Sequence, residues 1–319
     1  MKGDLPHDPR SRVVHRSGEI LVTGATGLLG RQVCAALGRD GRRHRALVRV
    51  TSNRDVLAGA GSWMCEGDLT RRGSLDAPLE DVETVLHLAG VVRSKDAERN
   101  RAVHVDGTRN LLEAAKAAGV RRVVAVSSDT VLRSRRGVYA QSKKEAEDLL
   151  RAATGVEVVI LRPPMMIGPH SPHLASMLKA ARLPVLPLPG GLAMRRPVGV
   201  WDVADAVVRC IDLAPDDLPD EPIDLPGPEA LPFGDLIALV ARRAGRSPPR
   251  VLTVPDAAIR RLARVTERLG DDPPLTIERL DGMAEEPVVD GRLARDLLGW
   301  SPMLLDEAVG RSLVDAGIA

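Results

Sequence analysis

The sequence predicts an α/β fold, a doubly wound parallel sheet followed by a smaller, mostly helical C-terminal lobe. Three observations carry that expectation. Short apolar runs alternate with longer amphipathic ones, the pattern of parallel strands covered by helices on both faces. A glycine-rich turn, Thr23-Gly24-Ala25-Thr26-Gly27-Leu28-Leu29-Gly30, joins the first apolar run to the first amphipathic one. Beyond Pro163-Pro164 the alternation breaks down, and the rest of the chain reads as mostly helical with a few short strands.

In chain order, strands are expected at 20–23, 44–48, 63–66, 84–88, 123–127 and 156–161. Helices are expected to begin near Leu28, Val103 and Tyr139, and the second of these places Leu111, Leu112, Ala115 and Ala118 on one side. Residues 1–17, with Lys2, Arg10, Arg12 and Arg16 among prolines, read as a disordered arm. Residues 18–168 form the nucleotide-binding unit and 169–319 the lobe, with 197–226 expected to pack back on the sheet.

Composition narrows the function. Basic and acidic residues number 45 and 43, interspersed, so a net charge of +2 predicts neither nucleic acid nor an anionic membrane as the main partner. No apolar stretch is long enough for an integral membrane segment, and the N-terminus lacks the apolar core of a secretory signal. Cys34, Cys65 and Cys210 lie far apart and read as buried thiols of a reducing, cytoplasmic setting. His and Cys never cluster at ligand spacing, so no metal is expected.

The glycine turn has a physical reading. Gly24, Gly27 and Gly30 permit a tight turn, close approach of a pyrophosphate and close helix–strand packing, with the anion at the helix N-terminus, as in a Rossmann fold. Thr26, Leu28 and Leu29 lie on the same turn. At the end of the second strand stands Arg49, with no acid until Asp55, which favours NADP(H), with NAD(H) as the alternative. Asp68-Leu69 closes the third strand, where the carboxylate meets either an adenine amino group or its own turn.

The chemistry-bearing pair is Tyr139 and Lys143, four apart on one helix face. The chain has one tyrosine and six lysines against 39 arginines, so a lysine at this place suggests that arginine will not serve. A phenol of ordinary pKa about 10 donates a proton to a carbonyl oxygen more readily if an ammonium lowers that value. The fifth strand runs into Ser127-Ser128, which places a hydroxyl at a strand's C-terminal end, where ligands of open α/β sheets bind.

With His87-Leu88-Ala89-Gly90, these motifs resemble the short-chain dehydrogenase/reductase superfamily. More narrowly, they resemble its extended or atypical branch, the NAD-dependent epimerase/dehydratase and 3β-hydroxysteroid-dehydrogenase-like proteins. Segments 105–112, Leu161-Arg162-Pro163, Gly168-Pro169, 200–204 and 298–302 extend the likeness to the C-terminus. The resemblance implies Tyr139 as general acid/base, Lys143 on the nicotinamide ribose and Ser128, rather than Ser127, polarising the substrate oxygen. It adds Ala89, Gly90 and Pro163 to the cofactor contacts, and Met165, Met166 and Arg195 as substrate contacts. His104 departs from the family's usual asparagine, Met165 from an asparagine common in nucleotide-sugar enzymes, and the Ser128–Tyr139 loop is short. The implied function is an NAD(P)H-dependent oxidoreductase acting on a carbonyl or alcohol of an apolar small molecule. A wall of Pro164, Met165, Met166 and Ile167, then Leu174, Met177 and Leu178, faces that substrate or else packs lobe on sheet. The alternatives are a nucleotide-sugar epimerase or dehydratase, and a non-catalytic NAD(P)-binding subunit or sensor. A homodimer is compatible with each.

Overall fold

The computed structural model describes residues 19–92, 96–190, 192–268, 276–287 and 289–318. The arm at 1–17 lies outside them. The N-terminal part alternates as the pattern requires. It contains β1 (Glu19–Thr23), α1 (Leu28–Arg39), β2 (His44–Val48), β3 (Trp63–Glu66), α2 (Asp76–Leu79), β4 (Val82–His87), α3 (Ala97–Asn100), α4 (Gly107–Ala117), β5 (Arg122–Val126), α5 (Val138–Arg151) and β6 (Glu157–Arg162). The six expected strands are all present, with ends shifted by up to two residues. The helix expected near Val103 starts earlier, at Ala97, and passes through a π-helical turn, Arg101–Asp106, before α4. That wide turn carries His104.

The C-terminal part contributes β7 (Met166–Ile167), α6 (Pro172–Ala180), β8 (Val185–Pro189), β9 (Val198–Gly199), α7 (Val200–Arg209), β10 (Ile223–Asp224), α8 (Phe233–Arg243), β11 (Arg250–Val254), α9 (Asp256–Thr266), α10 (Ile277–Ala284), α11 (Arg292–Leu298) and α12 (Leu305–Asp315). The main sheet has seven parallel strands in the order β10-β6-β5-β4-β1-β2-β3. Strand order reverses between β1 and β4, and an open α/β sheet binds ligands in the crevice beyond the C-terminal strand ends at such a point. Two further pairs, β8–β11 and β7–β9, lie outside the main sheet.

One apolar layer packs α1 and α7 on the sheet through Val33, Leu37, Val203 and Val207; the other buries Leu75, Leu79, Leu111 and Leu150 on the opposite face. The chain's return to the sheet is held by specific bonds. Buried Arg122 donates to the carbonyls of Cys210 and Ile211, and the Trp300 indole donates to Pro226 O at 2.9 Å. Gly299 takes a left-handed φ of 58° and so turns α11 into Trp300. A third cluster centres on Ile167, Leu174, Met177, Leu236 and Val240. Of the wall expected either to face a substrate or to pack lobe on sheet, Ile167, Leu174 and Met177 are buried side chains of this core, where α6 packs against α8 and β7.

Candidate active site

The phosphate turn explains its own glycines. Gly24 has φ 68°, and a Cβ there would lie 2.7 Å from the Ala89 backbone; one at Gly30 would lie 2.1 Å from Gly24 O. These two glycines are demanded by backbone packing between β1, α1 and the loop after β4. At Gly27 a Cβ would meet only Gly24 O, at 3.1 Å, so this glycine leaves the space before the helix open. Gly27 caps α1 without a side-chain bond, the first turn has no acidic residue, and the first intrahelical bond runs from Arg31 N–H to Gly27 O. The N–H groups of Leu28 and Leu29 precede that bond, as helix starts require. An uncapped, acid-free helix start beside a glycine cradle fits a dinucleotide pyrophosphate.

The loop after β4 is set by a buried chain of hydrogen bonds. His87 bonds the Thr23 hydroxyl through Nδ1 (2.9 Å) and the Thr108 hydroxyl through Nε2 (3.0 Å), while Thr108 donates to His104 O. The Ala89 N–H reaches Thr23 Oγ1 at 3.4 Å. His104 accepts from Val91 N–H at Nε2 (2.9 Å) and bonds Ser142 Oγ through Nδ1 (2.8 Å), so its ring ties this loop to α5. Burial, reinforced by the Lys143 charge, pushes both imidazoles down to about 3, so both are neutral. Gly90 lies against the His104 ring, and Leu69 is buried beside Gly107.

At the ends of β2 and β3 a cavity of about 470 Å³ lies between Arg49, Gly67, Arg71 and Ser74. Arg49 is exposed there. Asp68 takes the turn role: its carboxylate accepts from the Thr70 N–H (2.9 Å) and hydroxyl (2.8 Å). Burial pushes this carboxyl up, but the Thr70 bonds and the Arg49 and Arg71 charges bring it below its usual value. Sequence reasoning did not single out Arg71.

Beyond β5 the two serines have different fates. Ser127 donates to Glu147 Oε2 at 2.7 Å, and Glu147, buried in α5, also pairs with Arg162. Ser128 begins a 3-10 turn (Asp129–Leu132) and lies on the Tyr139 side, its hydroxyl bonded to Asp129 and Thr130. Pro163 O accepts from Asp129 N–H at 3.2 Å. Tyr139, Lys143 and Glu147 recur every fourth residue along one face of α5. That spacing was the signal that would have exposed Glu147.

The electrostatics differ from the expectation for the Tyr-Lys pair. Lys143 donates to Val126 O at 2.7 Å, and burial pushes its ammonium down to about 8 despite Glu147. The half-buried Tyr139 is raised, not lowered: burial and the neighbouring Asp129 push it up to about 12, partly offset by Ser128 and Arg133. The ammonium is turned to the strand end, so desolvation decides the phenol. The Tyr139 ring meets His104 edge to face at 5.6 Å.

The expected substrate contacts are placed differently from one another. Met165 and Met166 are partly buried, with Met165 O accepting from Val198 N–H and Met166 paired in β7–β9. Arg195 was expected as a substrate contact. It is 4% exposed and committed to Glu286, Gly282 O (3.0 Å) and Glu285 O (3.4 Å), because carboxylate and carbonyls from α10 and the residues after it surround it. Glu285 binds the Ser134 N–H and hydroxyl at 2.8 and 2.9 Å, so this segment closes over the loop between Ser128 and Tyr139.

Comparison with known proteins supports the fold and the family. Residues 20–221 match the NAD dependent epimerase/dehydratase family. A ceramide reductase from Caulobacter vibrioides is 35% identical over 195 residues, 61% of this chain and 60% of that protein. A UDP-glucose 4-epimerase from Vibrio cholerae is 30% identical over 222 residues, 60% of this chain and 66% of that one. The matches thus span less than two thirds of these relatives' own length. The crystal structure of gox2253 superposes with a TM-score of 0.78 at 29% identity, covering 93% of this chain and 97% of that one.

Proposed function

Because the chain belongs to the NAD-dependent epimerase/dehydratase family, in the extended short-chain dehydrogenase/reductase branch, we propose that it is an NADP(H)-dependent oxidoreductase acting on a carbonyl or alcohol of an apolar small molecule. Residues 18–168 would hold the cofactor and the C-terminal part the substrate. The observation that carries this reading is that Ser128 bonds Tyr139 while Lys143, one turn further along α5, donates to Val126 O at the end of β5. Bound NADPH would supply the hydride. The backbone of Gly27, Leu28 and Leu29 receives its pyrophosphate, and Arg49 with Arg71 receives the 2′-phosphate in the cavity they line. Lys143 reaches the nicotinamide ribose, Ser128 holds the carbonyl oxygen, and Tyr139 delivers the proton to it. A phenol raised to about 12 stays protonated in the resting protein, but it is a weaker acid than an ordinary phenol, so its transfer has to be helped by the groups around it.

The ceramide reductase relative supports an apolar substrate. The Vibrio relative favours a nucleotide-sugar epimerase as the second reading, but Arg195 is occupied by Glu286 and so opposes it. The test is a screen of aldehydes, ketones and nucleotide sugars with NADPH and NADH. Carbonyl-dependent NADPH consumption supports the reductase; sugar turnover without net cofactor oxidation supports the epimerase. Tight cofactor binding with no turnover would leave a non-catalytic binding subunit or sensor.

A further inference from the structure

We propose that Asp129 is a positioning residue that controls where the Ser128 proton goes, and that the site reduces a carbonyl while Asp129 is uncharged. The proposal rests on the Ser-Tyr-Lys reading above and deepens it. A serine hydroxyl has one proton to give and two positions at which to accept. Ser128 Oγ accepts from the Thr130 N–H at 3.3 Å and from the Thr130 hydroxyl at 3.0 Å. Its one proton points to Asp129 Oδ1 at 3.3 Å, while the Tyr139 phenol lies within hydrogen-bonding reach of the same hydroxyl. A substrate oxygen arriving beside Tyr139 therefore competes with a carboxylate for that proton. A charged acceptor forms a hydrogen bond roughly twice as strong as a neutral one. Once the carboxyl is neutral, Ser128 is free to turn its proton to the substrate.

The same charge acts on Tyr139. When the phenol gives its proton to the substrate oxygen it becomes a phenolate, and a carboxylate at Asp129 opposes that negative charge. Both donors of the site thus work better beside an uncharged Asp129. The balance is that of the proposed reduction: the carbonyl carbon gains the hydride, its oxygen gains the phenolic proton, the reduced cofactor is oxidised, and Tyr139 recovers a proton from water. Asp129 undergoes no net change.

The surroundings place this carboxyl where its charge can change. It is 5% exposed and faces Glu286 from the segment after α10, Arg133 from the end of its own turn, Arg195 from the loop before β9, and Tyr139 from α5. Burial pushes it up to about 7, with Glu286 adding to the rise and Arg133, Ser128 and Arg195 opposing it. The group is therefore mostly neutral below about 7 and charged above it.

Two measurements on the full chain test the proposal. The first is a carbon-13 NMR titration of labelled aspartate carboxyls, with the Asp129 signal assigned from its loss in Asp129→Asn. A midpoint near 7 that rises in Ser128→Ala is expected; one near the ordinary value of about 4 overturns the proposal whatever the activity. The second follows NADPH-dependent reduction of 2-decanone between about pH 6 and 8. A carboxyl titrating near the middle of that range predicts an approximately tenfold fall in kcat/KM for the wild type and less than about threefold for Asp129→Asn. Parallel profiles would overturn the control of the proton by Asp129 while leaving the Ser-Tyr-Lys reading in place. A midpoint near 7 without turnover of any carbonyl would sink that reading and this one with it.

Discussion

The strand ends of the parallel sheet and the C-terminal segment over them are held by different forces. Beyond β1 and β4 the fixed polar groups are neutral, with His87 between Thr23 and Thr108 and His104 between Val91 and Ser142, while beyond β5 the Glu147–Arg162 pair and Lys143 are added. The covering segment is held by charge, through Arg195 with Glu286 and Ser134 with Glu285, between residues 90 or more apart in sequence. A neutral network holds its geometry across a wide pH range, which suits groups that must point at a cofactor. A charged clamp can be tuned or opened, which would suit the side proposed to admit a substrate.

The largest effect that would sharpen this contrast comes from the two neighbouring glycines. Gly24→Val should destabilise the fold by about 3 kcal/mol or more, because a β-branched residue would be forced to φ 68° against the Ala89 backbone. Gly27→Val should leave the melting temperature near wild type and abolish cofactor binding, since its side chain would enter the open space before α1. Thermal melts and fluorescence titration separate the two; equal melting temperatures would break the distinction drawn between them.

Tyr139→Phe comes next, with turnover expected to fall by ~10²-fold or more on a verified substrate and cofactor affinity nearly unchanged. Full activity in this variant would end the catalytic assignment. Arg49→Ala is expected to weaken NADPH binding by about ten- to a hundredfold and to spare NADH, the worth of one charge-assisted contact. Equal NADPH and NADH affinities in the wild type would remove the 2′-phosphate from the cavity at β2 and β3.

The smallest effect tests the neutral network. His104 and His87 stay neutral in the folded protein down to about 3, whereas an unfolded histidine takes a proton at about 6.5. Between those values the unfolded state binds more protons, so their contribution is present above about 6.5 and is lost as pH falls toward 3. Replacing His104 with the asparagine usual in the family should make the melting temperature fall less between pH 7 and 5. An unchanged slope would mean that His104 is not held neutral.

The fold was legible because its signals are local. Short apolar runs alternating with amphipathic ones located all six N-terminal strands, and the Gly24–Gly30 turn located the crevice. The Tyr139–Lys143 spacing was legible because a helix repeats every 3.6 residues, and Glu147 lay one step further along the same face. What each group touches was less legible. Ser127 is occupied by Glu147, Asp68 by Thr70 and Lys143 by Val126 O, and those pairings depend on side-chain rotamers and strand register. Arg195 illustrates the limit, for the chain pairs it with a glutamate 91 positions away.

The sequence by itself determined the layer order, the glycine turn and the Tyr139–Lys143 spacing, since each depends on neighbours within a few positions. Only the tertiary structure decided their charge states and availability. Burial beside Asp129 raises the phenol that Lys143 was expected to lower, and α10 with the residues after it brings Glu286 onto the arginine expected as a substrate contact. Desolvation and long-range ion pairing depend on what the completed fold stacks around a group, and no local pattern encodes that.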